Sequence, residues 1–180
     1  MTKNIDQVRQ DAASTSEFAA PLAAGTYLVG DPCYAFDNDN PNGDTWMEWL
    51  NDAWKDVDAN RVRILDGRVR GMRICASGTE HGDGTYRDQD GFEYMVDAGL
   101  LGAVHIGFLA NLYPRHAGMA HERLEAELGM RVVEFAKPFH VSYEDGVVSV
   151  GHIKIDTGDW YLEDEDEAEE DPWSSDDDEE

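Results

Sequence analysis

The sequence predicts an α+β domain dominated by antiparallel strands. Three observations carry this: short alternating apolar and polar runs recur along the chain, Asp-Gly dipeptides separate several of them, and only two stretches keep a helical period. A length of 180 residues suits one main domain, and 41% hydrophobic residues, among them 5 Trp, 7 Tyr and 6 Phe, are enough for a core. The expectation extends to a sheet curled into a half-barrel, with about two helices packed on it.

The first strand is expected at Thr26-Tyr27-Leu28-Val29, between Gly25 and Gly30 and ahead of the Asp31-Pro32 turn. Thr45 and Glu48 read as a capping box, with Asp44 as the alternative cap. The helix they open places Trp46, Trp49, Leu50, Ala53, Trp54 and Val57 on one face, suited to packing on a sheet. Residues 61–76 follow as a hairpin turning at Asp66-Gly67, with Gly71 marking a bulge. Phe92, Tyr94 and Val96 alternate after a turn at residues 88–91, and a last hairpin turns at Asp145-Gly146. A second helix is expected over residues 117–128, stopped by Gly129.

Charge divides the chain further. The formal net charge is −25, and thirteen of the eighteen residues 163–180 are acidic, leaving −12 on residues 1–162. The expected organisation is an N-terminal arm over 1–22, a globular domain over 23–161, and a solvated acidic tail over 162–180. Within the tail, Trp173 with Asp176, Asp177 and Asp178 forms a candidate partner-binding peptide, an aromatic anchor flanked by carboxylates. Such a charge disfavours nucleic acid and anionic lipid as partners of the full chain and favours a basic protein. The longest nearly apolar stretch, residues 98–110, is too short to span a bilayer, and the N-terminus lacks the basic start and apolar middle of a secretory signal. Two cysteines are too few for a disulfide framework, so a cytoplasmic setting is expected.

Three glycine–aspartate strings stand out: GDPCY at 30–34, GDGTY at 82–86 and VDAG at 96–99. Asp31, Asp83 and Asp97 each sit beside Gly, where a short carboxylate accepts backbone N–H groups in an Asx turn. If the loops converge, these carboxylates with His81 or His105 make a small polar site, able to hold a divalent cation or raise one carboxyl pKa. Cys33 becomes a candidate nucleophile only with a histidine in hydrogen-bond reach. Together the three strings resemble a group of small uncharacterised bacteriophage and bacterial proteins that combine GDPCY with a later GDGxY and VDxG. The resemblance covers roughly residues 24–106. It implies a viral or bacterial setting and supplies no catalytic residue, and the long arm and acidic tail depart from the group's compact form.

Other signatures fail. Asn38, Asn40, Asn42 and Gly43 imitate a calcium loop, but position 1 should be Asp and position 12 falls on Trp49. The six histidines match no zinc spacing, and no P-loop, dinucleotide-binding or nucleophile-elbow string occurs. No cofactor is expected. One basic feature remains: Arg61, Arg63, Arg68, Arg70 and Arg73 fall on a single predicted hairpin. Such a ribbon pairs with the domain's own carboxylates, receives the acidic tail, or binds single-stranded nucleic acid in competition with that tail. The leading expectation is a non-enzymatic acidic interaction protein, phage- or mobile-element-encoded, that binds a basic partner and in one form mimics nucleic acid. The alternatives are a small enzyme or ligand-binding domain built on the Gly–Asp loops, and the single-strand binder.

Overall fold

In a computed structural model the described residues are 17–36, 45–55, 63–112 and 116–158. Eleven strands and three α-helices follow in the order β1 (Glu17–Phe18), β2 (Gly25–Gly30), a 3₁₀ turn (Pro32–Ala35), α1 (Thr45–Ala53), β3 (Ile64–Val69), β4 (Met72–Gly78), β5 (Gly84–Asp88), β6 (Glu93–Val96), β7 (Leu100–His105), α2 (Ile106–Leu112), α3 (His121–Leu128), β8 (Arg131–Phe135), β9 (Val141–Glu144), β10 (Val147–Val150) and β11 (Ile153–Asp156). The fold is α+β, and every strand pair is antiparallel.

The expected curled sheet is instead two sheets, ordered β1-β9-β10-β11-β5-β6 and β3-β4-β7-β2-β8, and neither closes into a barrel. Alternation along the strands explains the layering. In the five-stranded sheet Tyr27, Val29, Leu101, Ala103 and Val133 face one way, into a core shared with Tyr94, Val148, Val150, Ile153 and Ile155 of the other sheet. Leu28, Ile74, Ala76 and Val104 face the opposite way, against Trp49 of α1, Phe108 of α2 and Leu124 of α3. The five-stranded sheet is therefore a middle layer, buried on both faces. This accounts for the apolar run at residues 98–110: β7 is a central strand with no solvent side, followed by a helix.

Gly102 lets β7 lie close to β4, since a Cβ there would meet the Cys75 carbonyl oxygen at 2.4 Å. No helix among the described residues is long and apolar enough to cross a membrane.

Several expectations are confirmed. Strand β2, the turns at residues 88–91 and Asp145-Gly146, and helix α3 with Gly129 in the left-handed stop position (φ 61°) all occur, though α3 begins at His121 rather than at residue 117. The hairpin of β3 and β4 is corrected. Asp66 and Gly67 lie inside β3, paired with Cys75 and Ile74, and the turn falls at Arg70-Gly71 with φ of 49° and 82°. Gly67 is needed for space rather than for a turn, because a Cβ there would lie 2.7 Å from the Ala53 backbone nitrogen of α1. Gly71 is a turn residue, not a bulge.

Helix α1 is shorter than its pattern suggested. Trp49 and Ala53 are buried and Trp46 and Leu50 pack at the margin, but Trp54 follows the helix and is 52% exposed. Val57 and Asp44 lie outside the described residues. Glu48 does not reach back over the helix start; its carboxylate accepts from the Arg70 N–H at 3.1 Å and pairs with the Arg70 guanidinium. Helix α2 had no counterpart among the expected elements, because its apolar residues run on from β7 without a polar break. Residues 17–22, assigned to the arm from sequence, join the fold: β1 pairs with β9, and Leu22 exchanges backbone hydrogen bonds with Phe139.

Candidate functional site

The three Gly–Asp loops meet at one end of the sheets. Strand β2 ends there at Gly30, β4 at Gly78 and β6 at Val96, while β5 and β7 begin there. Asp31 is fully buried and ties two loops together. Its Oδ1 accepts from the Cys33 N–H (2.9 Å), and its Oδ2 accepts from the N–H groups of Asp97 (2.9 Å) and Ala98 (2.7 Å). The third loop closes on the second: Thr79 N–H donates to the Gly99 carbonyl (3.0 Å), and a Cβ on Gly99 would lie 3.4 Å from the Gly82 Cα and 3.8 Å from Asp83 Oδ1. Thr79 Oγ1 also donates to the Gly82 carbonyl at 2.6 Å.

The loops do converge, the condition on which the polar-site reading depended, but the roles of Asp31, Asp83 and Asp97 separate. Asp31 uses both oxygens on backbone N–H groups and caps the 3₁₀ turn, the behaviour of a structural clamp. Burial raises its pKa, and the N–H groups it accepts from pull the other way. Asp83 and Asp97 expose their carboxylates to solvent. Burial first, then the Asp31 carboxylate, drives the Cys33 pKa up, which holds the thiol protonated when a nucleophile would need thiolate. The Tyr34 hydroxyl is buried, and burial first, then the Asp97 carboxylate beside it, raises its pKa. Cys75, buried in the core, is pushed up to about 12 by burial. Among the described residues no group of three or more His, Cys, Asp or Glu is arranged to hold a metal ion.

The histidines divide. His81 stays with the loops, its Nε2 3.1 Å from the Gly158 carbonyl oxygen. His105 does not join them: it ends β7, about 17 Å along the strand from Leu100, stacks edge-on against Tyr27 and accepts from the Gly107 N–H through Nδ1.

The arginine ribbon is answered within the fold. Arg63 pairs with Glu80 at 2.8 Å and lies over the Tyr143 ring, and Arg68 donates to the Gly71 carbonyl. Arg70 pairs with Glu48. Arg73 forks onto Asp66 and also donates to the carbonyls of Pro21 (2.7 Å) and Ala20 (2.8 Å). Arg61, the calcium-like loop at Asn38–Gly43, Trp173 and Asp176, Asp177 and Asp178 lie outside the described residues.

One feature that sequence reasoning missed is an open groove of about 580 Å³ where Phe18, Phe135 and Phe139 meet His140, His152 and Lys137. Its parts come from β1, β8 and two turns, and no local string announces such an assembly. No family model matches the chain, and neither a curated protein nor a solved structure is similar to it.

Proposed function

We propose that this chain is a non-enzymatic interaction protein that presents carboxylates to a basic partner protein. The observation that carries the reading is how the cations are used. Lys55, Arg63, Arg70, Arg73, Arg87, Arg123 and Arg131 are all held in internal ion pairs, in a chain whose net charge is −25. The acidic surplus is therefore what a partner meets. A protein whose binding site normally grips phosphates is a natural target, which makes nucleic-acid mimicry a concrete form of this function, and a phage or mobile element a fitting source. Residues 163–180 extend the same charge, with Trp173 as an aromatic anchor.

The test is affinity capture with the full chain and with residues 163–180 deleted, across a salt series. Retention of a basic protein that weakens steeply between low salt and about 0.3 M supports the reading, because exposed charges are screened over about 10 Å at 0.1 M. Binding that ignores both salt and charge reversal of the surface carboxylates overturns it. The single-strand-binding alternative loses support because Arg63, Arg70 and Arg73 are already in ion pairs; affinity of the tail-deleted chain for a single strand at low salt would restore it.

A second reading is favoured by the convergence of the loops: a small-molecule or catalytic site around Asp83 and Asp97, beside Cys33. Asp83→Asn and Asp97→Asn test it better than Asp31→Asn, since their carboxylates are exposed and that of Asp31 holds the loops together. Loss of a ligand or activity with an unchanged melting temperature is the result this second reading expects.

A further inference from the structure

The sheet edges are not treated alike. Along the outer edge of β3, N–H groups that have no neighbouring strand among the described residues are taken by carboxylates, Ile64 by Glu17 (3.4 Å) and Arg68 by Asp52 (2.7 Å), and in the turn beyond it Arg70 by Glu48 (3.1 Å). At the outer edge of β8 the Val132 N–H is taken by Glu125 of α3 (2.8 Å). An uncovered edge is a template for another chain, and such caps block it.

Strand β6 is different. It ends the six-stranded sheet, with β5 as its one neighbouring strand among the described residues. The Asp88 N–H donates to the Phe92 carbonyl (3.1 Å), which sets the phase of this ladder. With Tyr86 opposite Tyr94 and Gly84 opposite Val96, the alternation turns the backbone groups of Tyr94 and Val96 toward β5 and those of Glu93 and Met95 away from it. Among the described residues nothing takes those outward groups. The surroundings have a consistent character. Met95 is 59% exposed, and Asp83, Asp90, Glu93 and Asp97 lie exposed around the strand. Asp90 and Glu93 have arginine partners, whereas Asp83 and Asp97 have no ion-pair partner among the described residues.

We infer that the open edge of β6 receives an extended basic segment of the partner protein as an added strand. The segment's main chain bonds Glu93 and Met95, its Lys or Arg side chains meet Asp83 and Asp97, and an apolar side chain covers Met95. This rests on the basic-partner reading and locates the contact. A second copy of the chain suits the edge poorly, because pairing β6 with β6 brings the same carboxylates face to face.

The experiment uses the full-length chain at low salt with a synthetic peptide of alternating lysine and valine, and an alternating glutamate–valine peptide as control. Amide exchange is read by NMR at Glu93 and Met95. The expected result is slowing of more than about tenfold at both amides with the lysine peptide alone. Met95→Pro, which removes an outward N–H that the ladder does not use and an edge strand tolerates, is expected to weaken binding by at least about tenfold, or 1.4 kcal/mol. If that variant unfolds, Met95→Lys keeps the N–H and is expected to weaken binding by charge. Binding that leaves Glu93 and Met95 unprotected and is indifferent to both variants overturns the edge assignment while leaving the basic-partner reading standing. Absence of any binding to the lysine peptide overturns both. Protection at Glu93 and Met95 that rises with protein concentration, without peptide, assigns the edge to a second copy and overturns the inference.

Discussion

Asp31 is a side chain on which the arrangement of two loops depends. It satisfies three backbone N–H groups from two loops, one of them 67 residues away in sequence. Asp31→Ala leaves these buried donors unpaired, at about 1–3 kcal/mol for each that water does not reach, so a loss of about 3 kcal/mol in urea denaturation is expected. The carboxylate of Asp31 was legible as an Asx turn from its Gly–Asp–Pro context, but its link to Asp97 and Ala98 was not, because nothing in a turn motif encodes which distant loop it meets. Gly67 teaches the same lesson in reverse. Its Asp-Gly string reads locally as a turn, yet its missing side chain is what admits α1. Gly67→Ala is expected to cost about 2 kcal/mol through overpacking. Gly71→Ala has open space around it and only the left-handed backbone to oppose it, at about 1 kcal/mol. Denaturation midpoints of the two variants distinguish the turn positions directly.

At the scale of elements, α1 shows how much a periodic pattern can specify. The spacing of Trp46, Trp49 and Ala53 was enough to predict a helix lying on a sheet. Trp49 is its anchor: wholly buried, stacked with Phe36 and donating through Nε1 to the Ile74 carbonyl at 3.1 Å. Trp49→Ala is expected to cost about 4 kcal/mol by cavity formation, measured by chemical denaturation. Where the helix stops was not legible, and Trp54 was wrongly placed on the buried face. The periodicity continues through it, but the helix ends at Ala53. The sheet edges show a further limit. Asp52, Glu48 and Glu125 look like ordinary surface acids in the sequence, and only the fold turns them into caps on strand N–H groups.

At the scale of the molecule, much of the acidity inside the fold has a structural use, which makes stability pH-dependent. The Glu80 carboxyl is held below its ordinary 4.5, chiefly by the Tyr143 hydroxyl and also by Arg63. Asp52 is lowered by Lys55 and the Arg68 N–H. For Asp88 burial raises the pKa, but Tyr94, the Phe92 N–H and Arg131 together outweigh it, and the result lies below the ordinary 3.8. A lowered folded pKa contributes stability that is complete above the ordinary value and is lost as pH falls through the lowered one. Asp31 acts in the opposite sense, its raised pKa favouring the folded state in acid and less so as pH climbs. With three lowered groups against one, the urea midpoint is expected to fall as pH drops below about 4.5; a midpoint flat from pH 7 to pH 3 would contradict these assignments.

Taken alone, the sequence determined the class of the fold, most strands and the acidic surplus. All of these follow from local periodicity, turn chemistry and composition, which need no knowledge of distant neighbours. Only the tertiary structure decided that one sheet would become two, with β7 buried on both faces, because layering depends on which apolar faces find each other. It also decided that the Gly–Asp loops would converge, that the arginine hairpin would be answered internally by Glu48, Asp66 and Glu80, and that β6 would end the six-stranded sheet. Charge and hydrogen-bond partners are set by proximity in space, and proximity between residues far apart in sequence arises only on folding.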